Sequence, residues 1–315
     1  MRIERRAFLS AAAAAAAGAI GRAGGLFDAS SQPHPRTRLI LLGTAGGPTP
    51  KRSASGPSQV IVVDGAAYVV DCGDGVARQL RLAGISPTAL RHIFITHHHS
   101  DHNADYGNLM LLAWAAGLQS RVDAWGPPPL ERMTRLFFEM NQYDIDVRIK
   151  DEGRVPLAPL VRAHERSEGG EVMRDENVRV TCALVPHPDV SPAFAYRFDA
   201  PGRSIVISGD TAKSDALIAL ARGADVLVHE TLYLPAVDRL VASIPNAATL
   251  RKHIVDSHTS AEDAGRVAQA AGVKTLVLSH FVPSDDPSIT SEMWASAAAA
   301  HFTGRVIVGK DLMEI

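Results

Sequence analysis

The stretch Ile93-Phe94-Ile95-Thr96-His97-His98-His99-Ser100-Asp101-His102 decides how this chain is read. Its first four residues are an apolar, β-branched run of strand character, and four potential metal ligands, His97, His99, Asp101 and His102, follow at once. Side chains alternate at the end of a strand, so His97 and His99 face the same way and His98 faces away. The turn that follows brings Asp101 and His102 around a neighbouring point. Imidazoles with a carboxylate suit borderline divalent metals, zinc first, with manganese or iron also accepted.

Outward from this stretch the chain alternates strands and helices. Strands are expected at Leu39–Leu42, Val60–Val63, Tyr68–Val70, Ile93–Thr96, Val178–Val185, Ser204–Ser208, Val226–Val228, Thr275–Ser279 and Val306–Val308. Asp64-Gly65 is a hairpin turn signal between two of them. Apolar residues recur at helical spacing over Gly75–Ala83, Leu130–Met140, Asp215–Ala221 and Ala261–Ala271. The pattern is α/β on one scaffold, without a linker that divides it. The polar segment Asp151–Glu176 reads as a long surface loop over the site, with Trp114 and Trp125 lining the substrate pocket.

Composition narrows the function. The 315 residues are 46% apolar, enough for a sizeable core, and 32 basic against 34 acidic residues give a net charge of −2. No basic excess of the kind that drives nucleic-acid binding is present. Cys72 and Cys182 have neither the number nor the spacing of a disulfide scaffold or a cysteine zinc site and read as buried thiols.

Residues 1–29 read as a targeting segment: Arg5-Arg6 precede a run of seven alanines, Ala11 to Ala17, and a small-residue exit. The order resembles a twin-arginine export signal, which places the protein in the periplasm or outside the cell. Residues 30–315 would then be a single hydrolase domain with no membrane span. Removing residues 1–29 takes away four arginines and two acids and lowers the net charge from −2 to −4.

The motif His-x-His-x-Asp-His identifies the chain as similar to the metallo-β-lactamase fold superfamily of metallohydrolases. The resemblance implies an αββα sandwich, two mixed β-sheets flanked by helices. It also implies a dinuclear zinc site, and the remaining ligands are found at later strand ends as Val-Pro-His187, Ser-Gly-Asp210 and Leu-Ser-His280. Carried over, His97, His99 and His187 would hold one ion and Asp101, His102 and His280 the other, with Asp210 bridging. Lactamase branches place Cys or Ser at the bridging position, which argues against antibiotic hydrolysis here.

Five further segments resemble the branch containing ribonuclease Z and the similar arylsulfatases and cyclic-nucleotide phosphodiesterases. They are Leu42-Gly43-Thr44, Asp71-Cys72-Gly73-Asp74-Gly75, His229-Glu230-Thr231, His258-Thr259-Ser260-Ala261-Glu262-Asp263-Ala264 and His280-Phe281-Val282-Pro283. The resemblance makes His258 a proton donor to the leaving group or an oxyanion stabiliser, catalytic together with Asp101 and Asp210, and Asp71, His229 and Glu230 are expected behind the ligands as supports. A basic arm that grips tRNA in many ribonucleases Z has no counterpart, because only 23 positions separate His187 from Asp210.

The expected function is therefore an exported dinuclear zinc hydrolase in which a metal-bridging hydroxide cleaves a small-molecule ester, a sulfate ester or phosphodiester first. Nucleic acid is not expected as a partner, and a homodimer is left open. The alternatives are a carboxylic ester or lactone hydrolase and a ribonuclease Z-type tRNA 3′-processing endonuclease.

Overall fold

Both sides of the first strand have to be covered, because Leu39 and Leu41 alternate with Ile40 and Leu42 and all four are buried. A strand apolar on both faces belongs inside a layered structure. The computed structural model describes residues 36–315, and the proposed export segment lies outside them.

The first half of the described chain runs β1 (Thr37–Gly43), β2 (Ser58–Val63), β3 (Ala66–Val70), α1 (Val76–Leu82), β4 (Leu90–Phe94), α2 (Ser100–Asn103), α3 (Tyr106–Ala115), β5 (Val122–Gly126), α4 (Leu130–Met140), α5 (Gln142–Glu152) and β6 (Val161–Glu165). Its strands form a six-stranded sheet in chain order, antiparallel up to β3 and parallel from β3 to β6. Asp64 and Gly65, both at positive φ, make the tight turn that pairs Val63 with Ala66.

The second half runs β7 (Gly170–Arg174), β8 (Arg179–Leu184), β9 (Phe194–Ala200), β10 (Arg203–Ile207), α6 (Asp215–Ala221), β11 (Val226–Leu232), α7 (Val237–Ala242), α8 (Leu250–Ser257), α9 (Ala261–Ala271), β12 (Thr275–Val282), α10 (Ser291–Ala299) and β13 (Arg305–Val308). These strands form a seven-stranded sheet, antiparallel from β7 to β10 and parallel from β10 to β13.

Three apolar layers hold the sheets and helices together. Ile40, Leu42 and Val60 pack outward against α1, α3 and α4. Leu39, Leu41, Ile61, Val70 and Phe94 pack inward against Phe194, Tyr196, Phe198, Ile205 and Val228 of the second sheet. Val206, Leu227 and Leu276 face α6, α9 and α10. Phe94 anchors the middle layer, with its ring edge-on to Phe198 at 5.1 Å and to Tyr196 at 5.4 Å. The result is the expected αββα sandwich.

Two local expectations fail. Asp151–Glu176 is not a loop over the site: it contains β6, which pairs with β5, and β7, which pairs with β8, so its polar residues belong to the edge strands of both sheets. Trp114 is 1% exposed in the outer core with its indole N–H on the Val155 carbonyl, and Trp125 stacks on His164 at 4.0 Å; neither lines the pocket. Cys72 and Cys182 are both free and buried. Among the described residues no helix is long and apolar enough to cross a membrane.

Candidate metal centre

The centre forms where strands of both sheets end. Beyond β4 the chain stays extended, since Ile95 N–H donates to the Trp125 carbonyl and Thr96 N–H to Asp71 Oδ1, at 2.8 Å each. Alternation then turns His97 and His99 together, and His97 Nε2 lies 3.1 Å from His99 Nδ1. His98 points away and donates to the Pro127 carbonyl at 2.8 Å. α2 starts straight after His99, and its single turn buries Asp101 and His102.

The second sheet supplies the rest. His187 follows β8, with its ring 4.8 Å from those of His97 and His99. Asp210 follows Gly209, whose φ of 59° and whose missing Cβ, which would sit 2.7 Å from the Phe194 carbonyl, make that turn glycine-only. His280 is the bulged residue of β12: pairing with β11 slips between Ser279 and Phe281, and His280 takes φ 48°. The bulge aims its Nε2 at Asp210 Oδ2, 3.2 Å away, and at Asp101 Oδ2, 3.4 Å away.

Asp210 is central. Its Oδ2 lies 3.3 Å from His102 Nε2, 3.9 Å from His97 Nε2 and 3.8 Å from His258 Nδ1. Ligand atoms of His97, His99, His187 and Asp210 lie within 4.8 Å of one another, as do those of Asp101, His102 and His280, and those of Asp210, His258 and His280. All seven expected ligand positions are therefore brought together.

A metal fits these residues. His102 Nε2, His187 Nε2 and Asp210 Oδ1 are buried without a hydrogen-bond partner, which an apolar or purely structural cluster would not tolerate. Burial, with His102 close by, pushes His97 well below the usual imidazole range, and burial holds His187 near 4, so both are neutral donors. Asp210 and Asp101 are held ionised: burial alone would raise them, and His102 and His280 outweigh it. His102, surrounded by Asp210, Asp71 and Asp101, is pushed up against its burial, so the cluster attracts positive charge at this point. A divalent cation supplies that charge without a proton on His102.

The supports fall into place unevenly. Asp71 accepts hydrogen bonds from Thr96 N–H at 2.8 Å, Thr96 Oγ1 at 2.9 Å and His102 Nδ1 at 2.8 Å, fixing the His102 ring. Glu230 Oε1 accepts from Thr259 N–H at 2.7 Å while Oε2 lies 3.3 Å from His258 Nδ1. His229 is fully buried and donates to the Glu230 carbonyl at 2.7 Å, while it is Glu230 that stands against His258. His253, which has no motif around it, does reach it: its ring is 5.6 Å from that of His99 and 5.9 Å from that of His187. Its place on α8, five residues before His258, is the signal that could have found it. A cavity of about 640 Å³ opens beside the centre, between the Gly46–Lys51 loop and α7 with α8.

This fold and site define a class. The model of the β-lactamase superfamily domain matches residues 67–281, and the chain belongs to the metallo-β-lactamase fold superfamily, as a hydrolase whose His/Asp clusters are of the divalent-metal-binding kind. More particularly, it is 34% identical over 280 residues to the ribonuclease Z of Mycobacterium bovis strain BCG, covering 88% of this chain and 97% of that one. The ribonuclease Z of Mycobacterium tuberculosis is 32% identical over the same shares. Among solved structures, the metallo-β-lactamase fold protein YhfI of Bacillus subtilis superposes with a TM-score of 0.64 at 20% identity, over 89% of this chain and 98% of that one. The short form of human tRNase Z does so with a TM-score of 0.62 at 21% identity, over 88% and 98%.

These relatives overturn two expectations, the small-molecule ester as substrate and the exclusion of nucleic acid as partner. Both rested on the short His187–Asp210 segment and the overall charge. The short segment is β9, a turn and β10, and a chain built this way still covers 97% of the mycobacterial ribonuclease Z at 34% identity. Net charge sums the whole surface, whereas contact with RNA depends on the charge beside the site.

Proposed function

We propose that this chain is a metal-dependent phosphodiesterase of the ribonuclease Z kind that cuts RNA. The observation that carries the reading is the nearly end-to-end match to mycobacterial proteins bearing that name, in a chain whose seven candidate ligands come together. His97, His99, His187 and Asp210 would hold one ion and Asp101, His102, His280 and Asp210 a second, with zinc the metal that this donor set suits. Two such ions would supply positive charge for the scissile phosphate and lower the pKa of a water towards neutrality.

The chain's own residues do the rest. Asp71 locks His102, and Asp210 Oδ2 reaches both halves of the centre, 3.9 Å from His97, 3.3 Å from His102 and 3.2 Å from His280. Burial pushes the His258 imidazole down, but the Glu230 carboxylate, with Asp210, more than offsets it and sets its pKa at about 9. In its protonated form His258 would give its proton to the departing oxygen.

The test is cleavage of a 3′-extended precursor tRNA by zinc-loaded protein. Release of the trailer by the wild type and not by Asp210→Ala supports the reading; no cleavage of any RNA overturns it. Export remains a separate proposal resting on Arg5-Arg6 and the alanine run, tested by fractionating cells that express the full chain. Recovery outside the cytoplasm would make RNA other than tRNA precursors the substrate the enzyme meets; cytoplasmic recovery would end the export proposal.

A further inference from the structure

One wall of the cavity is not used by this chemistry. It is apolar and is built by α7, α8 and the segment between them: Leu240 and Leu250 are partly buried, Ile244 is 38% exposed, and Ile254 ties the wall to Leu232, Val237 and Val282. His253 stands where this wall meets the metal centre, its ring at 77° to that of His99, with Nδ1 3.5 Å from the Ser257 hydroxyl. Across the cavity lies the Lys51 ammonium, which donates to the Thr49 carbonyl at 2.8 Å. Of the acids on the same rim, Asp285 accepts from Arg52 N–H and Ser53 Oγ and also acts on Lys51, as does Asp101, while Asp286 is paired with Arg239 and Ser288.

An apolar wall, a flat imidazole and a cation opposite, all continuous with the ligands, match one unpaired nucleotide, with its base on the wall and its phosphate towards Lys51. We propose that Leu240, Ile244, Leu250, Ile254 and His253 form a nucleobase subsite for the residue next to the scissile phosphate. The inference rests on the RNA reading above and adds to it. The 640 Å³ volume is within the range of sites for small ligands. Contact of this kind tolerates any base, because every base offers a flat apolar face.

The experiment uses single-stranded RNA oligonucleotides with one cleavage site, in which the nucleotide 5′ or 3′ to the scissile phosphate is replaced in turn by an abasic residue. For the wild type, kcat/KM is expected to fall about tenfold or more for one of the two abasic substrates, the scale of one lost base contact. In His253→Ala, and independently in the exposed-site variant Ile244→Ser, that penalty is expected to shrink towards one, with thermal unfolding showing both variants folded. An equal rate on intact and abasic RNA overturns the subsite while leaving the RNA reading standing. An undiminished penalty in both variants overturns its location. If the wild type cuts no RNA at all, both readings fall together.

Discussion

Glu230 reaches the start of the His258-Thr259-Ser260 segment twice, accepting from Thr259 N–H at 2.7 Å and lying 3.3 Å from His258 Nδ1. One carboxylate therefore sets both the position and the charge of the imidazole that faces Asp210. His258→Ala is expected to lower kcat on RNA about 10²–10⁴-fold with a much smaller change in KM, the usual contribution of a positioned acid. The pH dependence follows from the same pair. A proton donor is active below its own pKa, so kcat falls as pH rises through about 9. Glu230→Gln removes the charge that raises this value, so the alkaline limb moves to lower pH. A pH–kcat profile of the two proteins reads the shift, and coincident limbs would remove His258 from the proton-donor role.

The Asp71 carboxylate accepts three hydrogen bonds, two from Thr96 and one from His102. Asp71→Asn keeps the shape but only one acceptor oxygen, so with that oxygen on Thr96 N–H an amide NH2 faces the His102 ring. Zinc affinity, measured by competition with a chromophoric chelator, is expected to fall about 10–100-fold. Unchanged affinity would mean that the ring is held by packing alone.

The buried carboxylates Asp101 and Asp210 and the neutral rings of His97 and His187 are also a folding liability without a cation among them. Chelation is expected to lower Tm in scanning calorimetry, and zinc at about a thousandfold over Kd to restore roughly 4 kcal/mol. Equal Tm in chelator and in zinc would contradict a metal site here.

Phe94 ends β4 and fills the space between the sheets against Phe198 and Tyr196. Phe94→Ala is expected to cost about 3–5 kcal/mol in denaturant unfolding. Because the chain reaches His97 three residues later, metal affinity falls with it, unlike after an outer-layer truncation such as Leu80→Ala.

What could be read from the sequence, and what could not, divides along a physical line. Leu130–Met140, Asp215–Ala221 and Ala261–Ala271 form the expected helices at the expected limits; Ser214 and Ser260 cap the last two by accepting from Leu217 N–H and Asp263 N–H. The ligand strands were legible because their apolar runs stop at His or Asp. The edge strands β6 and β7 were not: Val161–Glu165 and Gly170–Arg174 are polar, and only the neighbouring strand makes them β. His253 was missed because its contacts with His99 and His187 join residues far apart in the chain. The aromatic side chains misled in the opposite sense: Trp114 is core, and nothing local distinguishes a core tryptophan from a pocket one.

The division of the ligands between the sheets has a consequence for how the protein comes together. His97, His99, Asp101 and His102 belong to the six-stranded half, and His187, Asp210 and His280 to the seven-stranded half. A chain opened between β6 and β7 would give two fragments, neither with a full coordination set. Zinc uptake by the mixed fragments would then be a direct gauge of their reassembly, with the ion acting as a clasp across the sandwich.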